Sequence, residues 1–293
     1  MESLTFLVKP ASSLCDLRCR YCFYEDVSSS RQVKCSGQMR EETVRRLLSA
    51  GVQALGGRGA LQITFQGGEP TLVGLDFYRS FLALERELCP PAVHITHSIQ
   101  TNGMTLDPDW AAFLREHRFL VGLSLDGARE FHDALRVDPN GKGTWDRAVR
   151  ALALLDGAGV ETNLLCVVTG QMARSPQKVY QSLKKLGPHP LQFIPCLDPL
   201  ESPRGSMPYS LSPARYGTFL CGLFDLWYRD LELGRYVSIR LFDDYLRILA
   251  GMPPSTCAAA GACGSYLVAE GDGSLYPCDF FVLDEWCMGN IYS

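Results

Sequence analysis

Apolar, β-rich runs alternate with amphipathic stretches of helical period along most of this chain, and that alternation narrows the possible folds more than any other feature. Strands are expected at residues 4–8, 61–65, 95–100, 120–125, 162–168 and 191–194, and helices at 41–55, 76–88, 108–116, 144–158, 176–186 and 213–233. Strand then helix, repeated, predicts an α/β fold with a mostly parallel sheet, as an open doubly wound sheet or a partial barrel. In either architecture ligands gather at the carboxyl ends of the strands. Those ends carry a cysteine triplet after the first strand, "QGGEPT" after the second, "TNG" after the third, "SLDG" after the fourth and "PCLDP" after the sixth.

Beyond about Val237 the pattern shifts to short segments, glycine-rich turns and cysteines. We expect a second, small module over residues 237–293, packed on a first domain of residues 1–236. "LVAEGDGSLYP" reads as a hairpin turning at Gly271, Asp272 and Gly273, with a strand expected in "CDFFVLDEWCMGNI".

The formal net charge of -4, with Lys and Arg scattered, argues against a dedicated nucleic-acid or membrane-surface protein. The N-terminus lacks the long apolar run of a signal peptide, so a cytoplasmic location is expected. In a reducing compartment the 12 cysteines point to metal or redox chemistry rather than disulfides. Cys15, Cys19 and Cys22 crowd into eight residues, and Cys257, Cys263 and Cys278 form a looser set. The other six, Cys287 among them, read as buried or incidental thiols.

A structural zinc site closes on four ligands, and no histidine lies near the first triplet. Three thiolates on a cubane 4Fe-4S cluster would leave one iron open, a place for chemistry. The C-x3-C-x2-C spacing followed by Phe23 and Tyr24 resembles the radical S-adenosylmethionine superfamily, whose cofactor chelates that open iron through its methionyl amine and carboxylate. "QGGEP" fits the same picture: glycines admit close approach, and Glu69 offers an anion to an ammonium. By itself such a turn is weak evidence.

Further stretches, "LVKPASSLCDLRCRYCFY", "FQGGEPTLVGLDFY", "FLVGLSLDG", "LQFIPCLDPL" and "GDGSLYPCDFFVLDEWCMGNI", resemble the anaerobic sulfatase-maturating enzymes. The resemblance implies a partial (β/α)6 TIM-like barrel, then the start of a cysteine-rich SPASM module. It implies oxidation of a sulfatase cysteine or serine to Cα-formylglycine through a 5'-deoxyadenosyl radical. Cys15, Cys19 and Cys22 would hold the radical-generating cluster, while Tyr21, Gly67, Gly68, Glu69, Ser124, Arg136 and Leu197 would contact S-adenosylmethionine. Tyr21 and Leu197 could equally be packing residues, Ser124 a cap and Arg136 a surface cation. Cys257, Cys263 and Cys278 would be three ligands of an auxiliary 4Fe-4S cluster, and Asp279 the catalytic base or else a turn acid.

The family continues past the position of "MGNIYS" into more cysteines, so the auxiliary ligand set is incomplete here and a piece of a longer protein is expected. Implied partners are a sulfatase polypeptide and an electron donor such as flavodoxin or ferredoxin, with neither nucleic acid nor membrane. The alternatives are another radical peptide modifier, such as a thioether-forming enzyme, and a non-catalytic iron-sulfur protein.

Overall fold

The computed structural model describes residues 2–293. The chain opens with β1 (Ser3–Val8), passes through the cysteine loop into α1 (Phe23–Ser29), and continues through α2 (Glu41–Ala54), β2 (Gly59–Phe65), α3 (Leu75–Leu88) and β3 (Val93–Thr101). Then follow α4 (Pro108–Glu116), β4 (Leu120–Ser124), α5 (Arg129–Leu135), α6 (Trp145–Ala158), β5 (Thr162–Val168), α7 (Pro176–Lys184) and β6 (Leu191–Pro195). The last elements are α8 (Pro213–Glu232), α9 (Arg240–Leu249), α10 (Cys257–Ala260), β7 (Leu267–Ala269), β8 (Ser274–Tyr276) and β9 (Gly289–Asn290).

Every strand and helix expected within residues 1–236 is present. Helices start where the sequence supplies caps: Asp107 accepts from Trp110 N at 2.9 Å with Pro108 following, and Ser212 accepts from Arg215 N at 3.3 Å with Pro213 following. The additions are α1, α5, α9 and α10. Two turns or fewer, as in α1, α5 and α10, give too few residues for a helical period to register.

One sheet contains all nine strands in the order β6-β5-β4-β3-β2-β1-β7-β8-β9. From β1 to β6 each strand lies parallel beside the next in chain order. A doubly wound sheet reverses at a switch point, and none of these six does. Right-handed crossovers advancing one way keep the helices on one face, which is the winding of a barrel.

The free edge of β1 takes β7 in parallel register, with Val8 opposite Ala269, and the hairpin β7–β8 and then β9 extend the sheet antiparallel. At the hairpin turn Gly273 has φ +86° and donates its N–H to Glu270 O at 2.9 Å. The expected strand in "CDFFVLDEWCMGNI" is instead two 3-10 turns, Asp279–Phe281 and Asp284–Trp286, with only Gly289–Asn290 extended. Phe281 N bonds Cys278 O and Trp286 N bonds Leu283 O, so these backbone groups are satisfied locally rather than by a neighbouring strand.

The strands' two faces differ. Leu61, Ile63, Phe65, Ile99, Val121 and Leu123 are buried in the apolar cores beneath the helices. The alternate positions of β2 to β4 and the strand ends carry Gln62, Thr64, Gln66, Ser98, Gln100 and Ser124. Thr64 Oγ1 and Ser98 Oγ lie 2.9 Å apart, and Gln100 Nε2 donates to Ser124 Oγ at 3.0 Å. Amides and hydroxyls in such numbers suit a face that meets ligand or water rather than packed hydrocarbon. Among the described residues no helix is long and apolar enough to cross a membrane.

Candidate active site

The first cysteine loop is pinned from two sides by backbone bonds. Gly68 N donates to Ser12 O at 2.9 Å and Glu69 N to Leu14 O at 2.7 Å; on the other side Arg18 N reaches Val137 O and Arg20 N reaches Leu135 O. The approach of the "GGE" turn explains its glycines. A Cβ on Gly68 would stand 2.0 Å from Leu14 O, and one on Gly67, where φ is +142°, would stand 2.8 Å from Ser12 O. Gly68→Ala is therefore expected to cost about 1–3 kcal/mol or more by forcing backbone apart. Urea unfolding beside iron content checks this, since an unchanged midpoint with full iron would mean the contact yields freely.

Cys15 and Cys19 are half-buried and Cys22 is exposed. Burial pushes the Cys15 thiol up to about 12 and, even with Arg136 beside it, the Cys19 thiol up to about 11, so these two do not ionise readily without further positive charge. N–H groups are nevertheless aimed at sulfur: Leu17 N lies 3.4 Å from Cys15 Sγ, and Glu25 N lies 3.4 Å from Cys22 Sγ, which caps α1. Among the described residues no three His, Cys, Asp or Glu side chains converge as ligands of one metal ion. A cubane cluster offers a separate iron to each thiolate, supplies the missing positive charge and accepts N–H donors at its sulfurs, so the donor set fits it.

Beside this loop lies a buried network. Asp126, in "SLDG", accepts the Tyr21 hydroxyl, Arg136 Nε at 2.8 Å, Arg136 Nη2 at 3.3 Å and Val167 N at 2.9 Å. The Arg136 guanidinium also stands 5.4 Å from the Tyr21 ring centre and counters the burial of the Cys19 thiol. Behind Asp126, His132 Nδ1 accepts its N–H at 3.3 Å, and burial lowers that imidazole to about 4, keeping it neutral. Tyr21 and Arg136 thus meet, and Arg136 is a buried ion-pair partner, not a surface cation. Ser124 lies beside Gln100 on the polar face, and Leu197 is exposed in the loop after β6.

Glu69 is sealed at 1% exposure. Its carboxylate takes Thr71 N, Thr71 Oγ1, Thr101 Oγ1 and Asn102 N at 2.7–3.2 Å, tying the end of β2 to that of β3. Desolvation still raises it to about 7 despite those donors. Asn102 extends the link, donating to Asp16 Oδ1 at 2.7 Å within the cysteine loop.

The C-terminal segment brings Asp279 to the same end of the sheet. Tyr266 Oη donates to Asp279 Oδ1 at 2.5 Å, and Gln66 Nε2, from the "QGG" turn, reaches Oδ2 at 3.4 Å. Cys278 Sγ lies 3.2 Å from the same Tyr266 hydroxyl, while Cys257 opens α10 and Cys263 lies just beyond its end. The three do not gather on one point among the described residues. Reading the sequence alone missed Asp126, Gln66, Asn102 and Tyr266. Three of these sit in the strand-end motifs already singled out, and a charged or amide side chain at a strand's carboxyl end was the available signal.

Comparison with known proteins agrees with this arrangement. Residues 10–183 match the Radical SAM superfamily. The chain is 48% identical to a cysteine-type anaerobic sulfatase-maturating enzyme of Clostridium novyi, over 99% of this chain and 77% of that protein. It is 36% identical to a serine-type anaerobic sulfatase-maturating enzyme of Klebsiella aerogenes, over 97% of this chain and 69% of that protein. A solved structure described as native anSMEcpe with bound AdoMet and Cp18Cys peptide superposes with a TM-score of 0.91 at 45% identity, covering 99% of this chain and 77% of that one. With its singly wound sheet and its triplet at the strand ends, the chain belongs to the radical SAM superfamily and, within it, to the anaerobic sulfatase-maturating enzymes.

Proposed function

We propose that this enzyme oxidises a cysteine of a sulfatase polypeptide to Cα-formylglycine, with serine as the second candidate substrate. The observation that carries the reading is the bond between Gln66 and Asp279, which joins a carboxylate of the C-terminal segment to the strand end where the cysteine loop lies. Greater identity to the cysteine-type relative than to the serine-type one supports the choice of cysteine. Once bound and supplied with one electron from a donor, a 4Fe-4S cluster and S-adenosylmethionine would supply the radical chemistry for hydrogen abstraction at the substrate Cβ.

Cys15, Cys19 and Cys22 would hold that cluster. Tyr21, Gly67, Gly68, Glu69, Ser124, Arg136 and Leu197 are assigned to the cofactor, with different parts. Gly67 and Gly68 let the turn close on the cysteine loop, and Glu69 fixes the turn from inside. Asp126 holds Tyr21 and Arg136. Asp279 accepts the proton of the substrate thiol or hydroxyl, oriented by Tyr266 and Gln66. Cys257, Cys263 and Cys278 would hold three corners of an auxiliary cluster, a set one ligand short of four. An electron donor such as flavodoxin or ferredoxin, in the cytoplasm, would reduce the first cluster.

The test is anaerobic reconstitution with iron and sulfide, reduction, addition of S-adenosylmethionine and a cysteine-containing sulfatase peptide, and mass spectrometry of the products. We expect 5'-deoxyadenosine together with a formylglycine peptide. A thioether-crosslinked peptide would move the enzyme to the other class of radical peptide modifier. Iron binding without 5'-deoxyadenosine would leave a non-catalytic iron-sulfur protein.

A further inference from the structure

Asn102 directly follows β3 in the "TNG" motif and is buried, at 8% exposure. Its backbone N–H goes to Glu69 Oε2 at 2.8 Å, which fixes where the side chain starts. The carboxamide is fixed in turn: Oδ1 accepts from Met104 N at 2.8 Å, so the other end is the donating Nδ2. That nitrogen faces the cysteine loop, with Asp16 Oδ1 at 2.7 Å and Cys15 Sγ at 3.9 Å. An amide nitrogen carries two hydrogens, one for each of these acceptors.

The other supports of the loop leave a gap at this place. Leu14 O accepts from Glu69 N on one side, and Arg18 N donates to Val137 O on the other. Between them the backbone of residues 15–17 bonds only within the loop: Leu17 N points at Cys15 Sγ, and Arg18 Nη1 donates to Cys15 O at 2.8 Å and Leu17 O at 2.7 Å. Arg18, the cation closest to Asp16 in the sequence, is thereby turned to carbonyls. Among the described residues Asn102 is the one polar group from outside the loop that bonds this stretch. Through Asn102 N and Glu69 the stretch is tied to the ends of β3 and β2 together.

We infer that Asn102 is a positioning residue for the first cluster: its amide latches Asp16 and directs a second N–H at Cys15 Sγ, holding that thiol in the place where an iron of the cluster takes it. A ligand kept in place loses less freedom on binding, and partners standing behind a metal ligand typically change affinity about 10- to 100-fold. The inference rests on the cluster reading above.

The experiment follows iron release to a ferrous chelator from the anaerobically reconstituted full chain, in the unmutated protein, Asn102→Asp, Asp16→Ala, and the exchanged pair Asn102→Asp with Asp16→Asn. Asn102→Asp keeps the shape and the acceptor for Met104 N but sets two carboxylates against each other. Asp16→Ala removes the acceptor from the loop and leaves the "TNG" turn untouched. The exchanged pair returns an amide-to-carboxylate bond with its direction reversed. Both single variants are expected to release iron about tenfold faster or more, and the exchanged pair to return most of the way to the unmutated rate. Asp16→Ala at the unmutated rate overturns the inference even if Asn102→Asp fails to fold. An exchanged pair as leaky as Asn102→Asp also overturns it and assigns Asn102 to the turn after β3. Failure of the unmutated chain to bind iron would sink the cluster reading itself, and this inference with it.

Discussion

Asp126→Ala is expected to destabilise the protein by about 3–5 kcal/mol, the cost of leaving a buried charge without its partner. Arg136 is 8% exposed and makes two bonds to this carboxylate, and a guanidinium cannot shed its proton to escape. The Tyr21 hydroxyl and Val167 N lose their acceptor in the same step, each worth about 1–3 kcal/mol if left unsatisfied, though the terms do not add. Denaturant unfolding of the cluster-free chain measures the loss. Asp126→Asn, which keeps an acceptor at the same place, should lose less. A fall below about 1 kcal/mol for the alanine variant would show that water reaches Arg136 and that the pair is worth no more than a surface one. Because Tyr21 and Arg136 are both assigned to S-adenosylmethionine, weaker cofactor binding should accompany the loss in either variant.

The second large effect separates the two halves of the chemistry. Asp279→Asn preserves the shape of the side chain and an acceptor for the Tyr266 hydroxyl, but it cannot take a proton at neutral pH. Peptide conversion should fall by about 10²- to 10⁴-fold, the usual contribution of a positioned base, while 5'-deoxyadenosine still forms. Quantifying both products in one anaerobic assay decides it. Equal losses of the two would mean that Asp279 supports the site structurally, and unchanged conversion would remove it from the mechanism.

Much of the first domain could be read in advance because its signals are local. The alternation at 61–65 and the apolar, β-rich run at 162–168 report strands, and Asp107-Pro108 or Ser212-Pro213 reports a helix start, within a few residues of the event itself. The C-terminal segment was less legible. Its strands are two or three residues long, below the length at which period 2 is distinguishable, and its 3-10 turns depend on local carbonyls that no pattern marks.

The same division runs through the site. Three thiols at C-x3-C-x2-C are neighbours in the chain, so sequence alone determined that a loop carrying three cysteines follows the first strand, and it marked the glycines of the turn that closes on it. Only the tertiary structure decided what surrounds that loop. Tyr21 and Asp126 are 105 residues apart, Gln66 and Asp279 213, and Tyr24 and Glu270 246. Such pairs are brought together by strand order: β4 follows β3 and β2 across the sheet, and β7 docks on the edge of β1. The titration of Lys9 and Glu69 and the hydrogen-bond partners of Asp126 follow from that packing, because desolvation and partner count are properties of the packed site and not of the residue.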